Sequence, residues 1–191
     1  WRGPNYDGVS PAEGFKTAWE APPPKLWEAP IGSAFSGLSV VDGRVYTCGT
    51  DSDQQMLICL KADTGAVLWK TPIEPEYRER QGGDGARATP TVADGHVYVQ
   101  GAKGRVLCCD AKTGAEAWSR AYDAMPRWGY SASVLVDGDL AVVSSGGDHG
   151  GIEALDRKTG KPVWQCGEGR LGDESGAGYA TPYPFTFEGT R

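Results

Sequence analysis

Apolar positions along this chain fall in short runs, punctuated by Asp-Gly and Thr-Gly pairs, and the same succession recurs. Two runs flank Asp42-Gly43, another two flank Asp94-Gly95, and two more flank Asp137-Gly138. An Asp-Gly pair between apolar runs is a strong local signal for a tight β-hairpin. A weaker copy, Pro184 to Gly189, lies near the end. Each full hairpin is followed by a loop (Gly49 to Gln55, Gly101 to Gly104, Ser144 to Gly151) and by a third apolar run: Met56 to Leu60, Arg105 to Cys109, Ile152 to Leu155. A Thr-Gly turn then leads into a fourth run that carries a tryptophan. The runs are nearly continuous rather than alternating, as expected for a sheet packed on both faces.

The fourth run makes the repeat explicit. Asp110 to Trp118 and Asp156 to Trp164 share one order of parts, and Lys61 to Trp69 follows it with Lys in place of Asp. A period of roughly 40 to 50 residues marks a solenoid or a propeller, and four antiparallel strands per period make a propeller blade. Gly65, Gly114 and Gly160 occupy the turn position that needs φ > 0. Trp69, Trp118 and Trp164 are read as blade-docking residues: a buried indole removes 150 to 250 Å² from water, roughly 4 to 6 kcal/mol. Lys25 to Ile31 matches Val67 to Ile73, so Trp27 is read as a further Trp strand without its Thr-Gly turn. The predicted organisation is an irregular lead-in over 1–24, an outer strand over 25–31, and blades over 33–73, 84–122 and 128–168. The start of another blade covers 177–191. Within the lead-in, Ser10 to Glu13 predicts one helical turn capped by Ser10.

Composition changes this picture little. Gly at 28 and Pro at 13 residues fit an all-β chain rich in turns. A net charge of −6 with dispersed basic residues argues against nucleic-acid binding, and no apolar run approaches a membrane span. The cysteines, Cys48, Cys59, Cys108, Cys109 and Cys166, form no metal-binding spacing.

At its turns the chain resembles the PQQ-like β-propeller repeat superfamily, whose docking signature runs Ala-x-Asp-x-x-Thr-Gly-x-x-x-Trp. Ala154, Asp156, Thr159, Gly160 and Trp164 match it throughout. The middle copy replaces Ala with Cys108, and the earliest replaces Ala and Asp with Cys59 and Lys61. The opening Trp1 to Ser10 resembles the start of bacterial secreted members. The resemblance implies a ring of blades, commonly eight, closed by the Trp27 strand. It favours further blades in cis over ring assembly in trans, and a periplasmic or secreted location. It also offers two functional classes. One is the cofactor-free binding scaffold, such as the propeller lipoprotein of the outer-membrane β-barrel assembly machinery. The other is the quinoprotein dehydrogenase with pyrroloquinoline quinone (PQQ) and Ca²⁺ at its centre.

The reading adopted from the resemblance is the scaffold, with a protein or small-molecule ligand at the propeller face and no cofactor, metal or catalytic residue of its own. Cys108-Cys109 is the sharpest enzyme clue, because some quinoprotein dehydrogenases carry a vicinal disulfide. In the internal alignment, however, both fall on ordinary third-strand positions pointing to opposite faces. His96 reads as solvated, His149 is a lone loop histidine, and Asp51-Ser52-Asp53 is too short for a Ca²⁺ cage. A carbohydrate-binding module, using Trp128 and Tyr130, is a third reading. Counting back from each Asp-Gly turn places Phe35, Arg87 and Tyr130 at one mouth of the channel, and the Ala-Thr-Pro match of 88–90 to 180–182 adds Tyr179. These four are the binding candidates, since aromatic and Arg residues dominate binding hot spots.

Overall fold

The computed structural model describes residues 3, 5–9, 13, 14, 16, 18–149, 151–167 and 179–190. The helical turn expected at Ser10 to Glu13, most of the opening Trp1 to Pro4 and the side chain of His149 lie outside the described residues.

The chain is all-β. Three four-stranded antiparallel sheets follow one another in sequence. The first contains β1 (Ser39–Val41), β2 (Arg44–Asp51), β3 (Gln54–Lys61) and β4 (Val67–Pro75). The second contains β5 (Thr91–Ala93), β6 (His96–Gln100), β7 (Arg105–Asp110) and β8 (Glu116–Ala121). The third contains β9 (Leu135–Asp137), β10 (Leu140–Ser144), β11 (Ile152–Asp156) and β12 (Pro162–Cys166). Each sheet is a simple meander, and the sheets pack face to face as the blades of a propeller. The first strands β1, β5 and β9 lie side by side and line a cleft of about 550 Å³. The last strands lie on the outside.

Side chains alternate across each strand, so every blade feeds two packing layers. Tyr46, Leu57, Cys59 and Ile73 of the first blade meet Val97, Val99, Leu107 and Cys109 of the second. Val106, Cys108 and Trp118 of the second meet Ala141, Val143 and Leu155 of the third. Cys108 and Cys109 therefore enter different layers as free, buried thiols. Burial pushes Cys48, Cys108 and Cys109 up to about 12, so none is a nucleophile at neutral pH.

The hairpin turns differ between blades. In the first two, Asp42-Gly43 and Asp94-Gly95 both have positive φ and form the two-residue loop. In the third, Asp137 pairs with Leu140 as the last residue of β9, so the loop is Gly138-Asp139. The third blade thus sits one residue out of step with its Asp-Gly letters.

All three blades shift register just before the Thr-Gly turn, at Cys59/Leu60, Cys108/Cys109 and Ala154/Leu155. In the second and third, Asp110 and Asp156 accept from the backbone N–H groups two and three residues on and from the Thr hydroxyl. These bonds, the Thr hydroxyl foremost, hold both carboxyls below the usual Asp range. Lys61 offers no such acceptor, and the first turn closes on backbone bonds, with Gly65 N–H to Lys61 O at 2.9 Å.

Residues 25–31 join none of the three sheets of the described residues. The segment lies extended over the first blade, with Trp27, Ala29 and Ile31 packed on Val45, Met56, Ile58 and Leu60. The final hairpin is reduced to a single bridge, Phe187 to Thr190, around Glu188-Gly189.

Candidate functional site at the channel mouth

The repeated indoles meet the repeated turns. The Trp27, Trp69 and Trp118 ring N–H groups donate to the carbonyls of Ala62, Ala111 and Arg157, at 2.9, 3.3 and 2.9 Å. Each carbonyl stands three residues before the turn glycine, on which the indole lies. A Cβ at Gly114 would fall 2.6 Å from Trp69 Cε3, and one at Gly160 2.6 Å from Trp118 Cε3. Gly65 is pressed in the same way against Trp27. At φ of 70 to 74° these positions also require a left-handed backbone. Trp164 meets no such turn among the described residues and is 42 % exposed, against 8 % for Trp118.

The structure adds a partner that the repeat alignment passed over. Tyr46 and Tyr98 lie beside Trp69 and Trp118, with ring centroids 6.0 and 6.1 Å apart. Their hydroxyls donate to the same two carbonyls, of Ala111 and Arg157. The signal was present in the sequence as the recurring Val-Tyr of Val45-Tyr46 and Val97-Tyr98, which Ala141-Val142 interrupts in the third blade.

At the channel mouth, three of the four candidates are placed at the surface and one is not. Tyr130 is fully buried: its hydroxyl donates to Ser145 O at 2.8 Å and accepts from Ala124 N–H at 3.1 Å. The one-residue slip explains this, since moving a register by one sends a side chain to the opposite face. Counted from the observed end of β9, the residue equivalent to Phe35 and Arg87 is Ser131. The carbohydrate reading loses Tyr130 for the same reason.

Ser131 lines a cleft of about 370 Å³ with Arg87, Thr89, Ser133 and Tyr179. A ladder of hydroxyls stitches this rim across the blades. Gly37 N–H donates to Thr89 Oγ1, Thr89 N–H to Ser133 Oγ and Ser133 N–H to Thr181 Oγ1, at 3.1, 3.1 and 3.0 Å.

The rim carries aromatic and guanidinium side chains, with Tyr77 buried beneath them. Arg87 lies 4.6 Å from the centre of the Tyr77 ring and 5.7 Å from that of Phe35, and donates to the carbonyls of Gly85 and Gly83. The Tyr77 hydroxyl donates to Arg127 O at 3.2 Å. The Arg127 guanidinium lies 5.2 Å from the centre of the Trp128 ring, which is 5.6 Å from Tyr179. Phe35 and Trp128 are exposed. Tyr77, Arg127 and Trp128 sit on inter-blade connections, which vary from repeat to repeat and so carried no periodic signal.

Other candidates are spent elsewhere. Asp51 pairs with Lys70 and Asp53 with Arg78. His96 Nδ1 lies 3.1 Å from the carbonyl of Asp94. Among the described residues no group of three or more His, Cys, Asp or Glu side chains comes together. The cleft offers hydroxyls and one guanidinium, whereas Ca²⁺ takes six to eight oxygen ligands. These residues do not fit a Ca²⁺-bound quinone.

Comparison with known proteins follows from this architecture. The family model described as outer membrane protein assembly factor BamB matches residues 9–174. The quinohemoprotein alcohol dehydrogenase ADH-IIG of Pseudomonas putida is 33% identical over 136 residues, covering 66% of this chain and 18% of that protein. BamB of Burkholderia pseudomallei (strain K96243) is 30% identical over 142 residues, covering 74% of this chain and 34% of that protein. Among solved structures, BamB from Moraxella catarrhalis superposes with a TM-score of 0.54 at 27% identity, covering 74% of this chain and 39% of that one. The quinohemoprotein alcohol dehydrogenase ADHIIG from Pseudomonas putida HK5 gives 0.54 at 28%, covering 73% and 22%. The chain thus spans well under half the length of these relatives. With its repeated turns, four-stranded blades and family match, it belongs to the BamB family of PQQ-like β-propellers.

Proposed function

We propose that the chain is part of a propeller scaffold that binds a protein or ligand at its channel mouth, in the bacterial cell envelope. The observation that carries this reading is the group of Phe35, Arg87, Arg127, Trp128 and Tyr179 at the rim, with Arg87 seated on the buried Tyr77 ring. Aromatic and arginine side chains held by their neighbours lose little entropy on binding and supply much contact area. Trp27, Trp69 and Trp118 serve in this proposal as the docking residues that keep the rim rigid. The envelope location rests on the family's description as an outer membrane assembly factor.

The test is a comparison of partners captured from an envelope extract by the wild type and by the double variant Trp128→Ala, Tyr179→Ala. Both side chains are partly exposed, so thermal unfolding should be nearly unchanged. A partner retained by the wild type and lost from the variant is expected. Identical captures would place binding elsewhere.

The quinohemoprotein relative, at 33% identity, supports a second reading as an oxidoreductase. Its chemistry would have to draw on ligands other than the described residues.

A further inference from the structure

We propose that the segment bound at this mouth is an extended acidic peptide; the inference rests on the scaffold reading and names its partner's chemistry.

The argument starts from where the arginines find carboxylates. Arg78, Arg105, Arg120 and Arg157 each pair with one, within 2.8 Å for the first three. Among the described residues, those without such a partner are Arg44, Arg80, Arg87 and Arg127. Three of these four belong to the mouth: Arg87 and Arg127 in the aromatic surface, and Arg80 on the loop that packs against it. On a chain of net charge −6 this concentration runs against the overall balance.

Among the described residues the carboxylates close by make no ion pair with these three guanidinium groups. Glu79 is turned back on its own loop, accepting from the N–H groups of Gln81 and Gly82; those bonds foremost, with a smaller pull from the Arg87 guanidinium, hold its carboxyl below the usual Glu range. Asp84 accepts from Glu79 N–H at 2.9 Å. Gly83 presses on the Phe35 ring and Gly82 on Glu79 and Arg87, which fixes the loop tip. Arg87 uses donors on two carbonyls, and a guanidinium has five. The remainder can meet a carboxylate in the planar, two-bond geometry that suits Arg.

The surface also draws on successive segments of the chain: Phe35 before the first blade, Arg87 before the second, Arg127 and Trp128 before the third, and Tyr179 after it. An extended chain carrying carboxylates at intervals meets the guanidinium groups while its backbone and intervening side chains lie on the rings. A compact anion would engage one Arg and leave the aromatic surface unused.

The experiment uses fluorescence anisotropy of three labelled peptides, alternating Glu-Ala, Gln-Ala and Lys-Ala, titrated with the full protein. Saturable binding of the Glu peptide alone is expected, weakening about tenfold or more as salt rises from about 50 to about 500 mM. Arg127→Gln, an exposed substitution, should weaken it about tenfold without moving the thermal midpoint. Equal binding of the Glu and Gln peptides would overturn the proposal. So would binding of an oligosaccharide, lost in Trp128→Ala, with no peptide bound. Absence of peptide binding, with the Trp128→Ala, Tyr179→Ala pair still losing its captured partner, removes the acidic assignment and leaves the scaffold reading standing. Failure of both removes both.

Discussion

Replacing Trp118 by alanine is expected to lower the free energy of unfolding by about 3 to 5 kcal/mol, the range for deleting a large buried aromatic side chain. The indole is 8 % exposed, donates to Arg157 O at 2.9 Å, and packs on both Tyr98 and the Gly160 turn. Its loss opens a void between the second and third blades and leaves the Tyr98 hydroxyl as the remaining side-chain donor to that carbonyl. Trp164→Ala serves as the control. That residue is 42 % exposed, so its removal should cost no more than about 1 kcal/mol. Urea unfolding followed by circular dichroism measures both. A double-mutant cycle sharpens the test. Gly160→Ala places a Cβ 2.6 Å from Trp118 Cε3, so it should be costly alone and cheaper once Trp118 is gone, with a coupling on the order of 1 kcal/mol or more. Additive effects would show that the indole and the turn do not depend on each other.

The second large effect is expected at a polar contact between the same two blades. Glu153 stands in the third strand where the other repeats have Ile58 and Leu107, and only 3 % of its side chain is exposed. Arg120 of the preceding blade reaches it with two N–H groups, at 2.8 and 3.0 Å, and the Tyr122 hydroxyl also donates to it. Arg120→Met removes the cation and leaves the carboxylate buried, which should cost about 3 to 5 kcal/mol. Replacing the whole cluster, Arg120→Met with Tyr122→Phe and Glu153→Leu, removes every buried polar group at once. It restores the aliphatic residue that the other repeats carry, so stability should return to within about 1 kcal/mol of wild type. A single variant as stable as wild type would mean that water already reaches the carboxylate. A triple variant as unstable as the single would locate the loss in packing rather than in the stranded charge.

Much of the architecture was legible because it repeats. The Thr-Gly turns, the third strands and the Trp strands lie where the in-phase copies placed them, and Cys108 and Cys109 fall on opposite faces as strand alternation requires. What broke the period was harder to read. Asp137-Gly138 has the letters of the other hairpin turns, yet Asp137 belongs to β9 and the loop is Gly138-Asp139. That single step turns Tyr130 into the core and brings Ser131 to the mouth. Motif letters do not specify a register; the pairing of β9 with β10 does. The Trp27 segment joins none of the three described sheets and docks its side chains on the first blade. The Arg120–Glu153 contact and the Arg127–Trp128 pair occur once each, so no internal comparison could reveal them. Glu153 was visible only as an acid at an aliphatic position, a departure that signals a buried partner without naming it.

The contrast between the two functional classes comes down to whether the ring's centre holds a quinone. The most direct measurement is a calorimetric titration of the protein, as the cell makes it, with PQQ in the presence of Ca²⁺, followed by dye reduction with a primary alcohol. A binding scaffold predicts no saturable heat and no reduction above the protein-free rate. Saturable binding of one quinone per chain, with alcohol-dependent dye reduction, would contradict it.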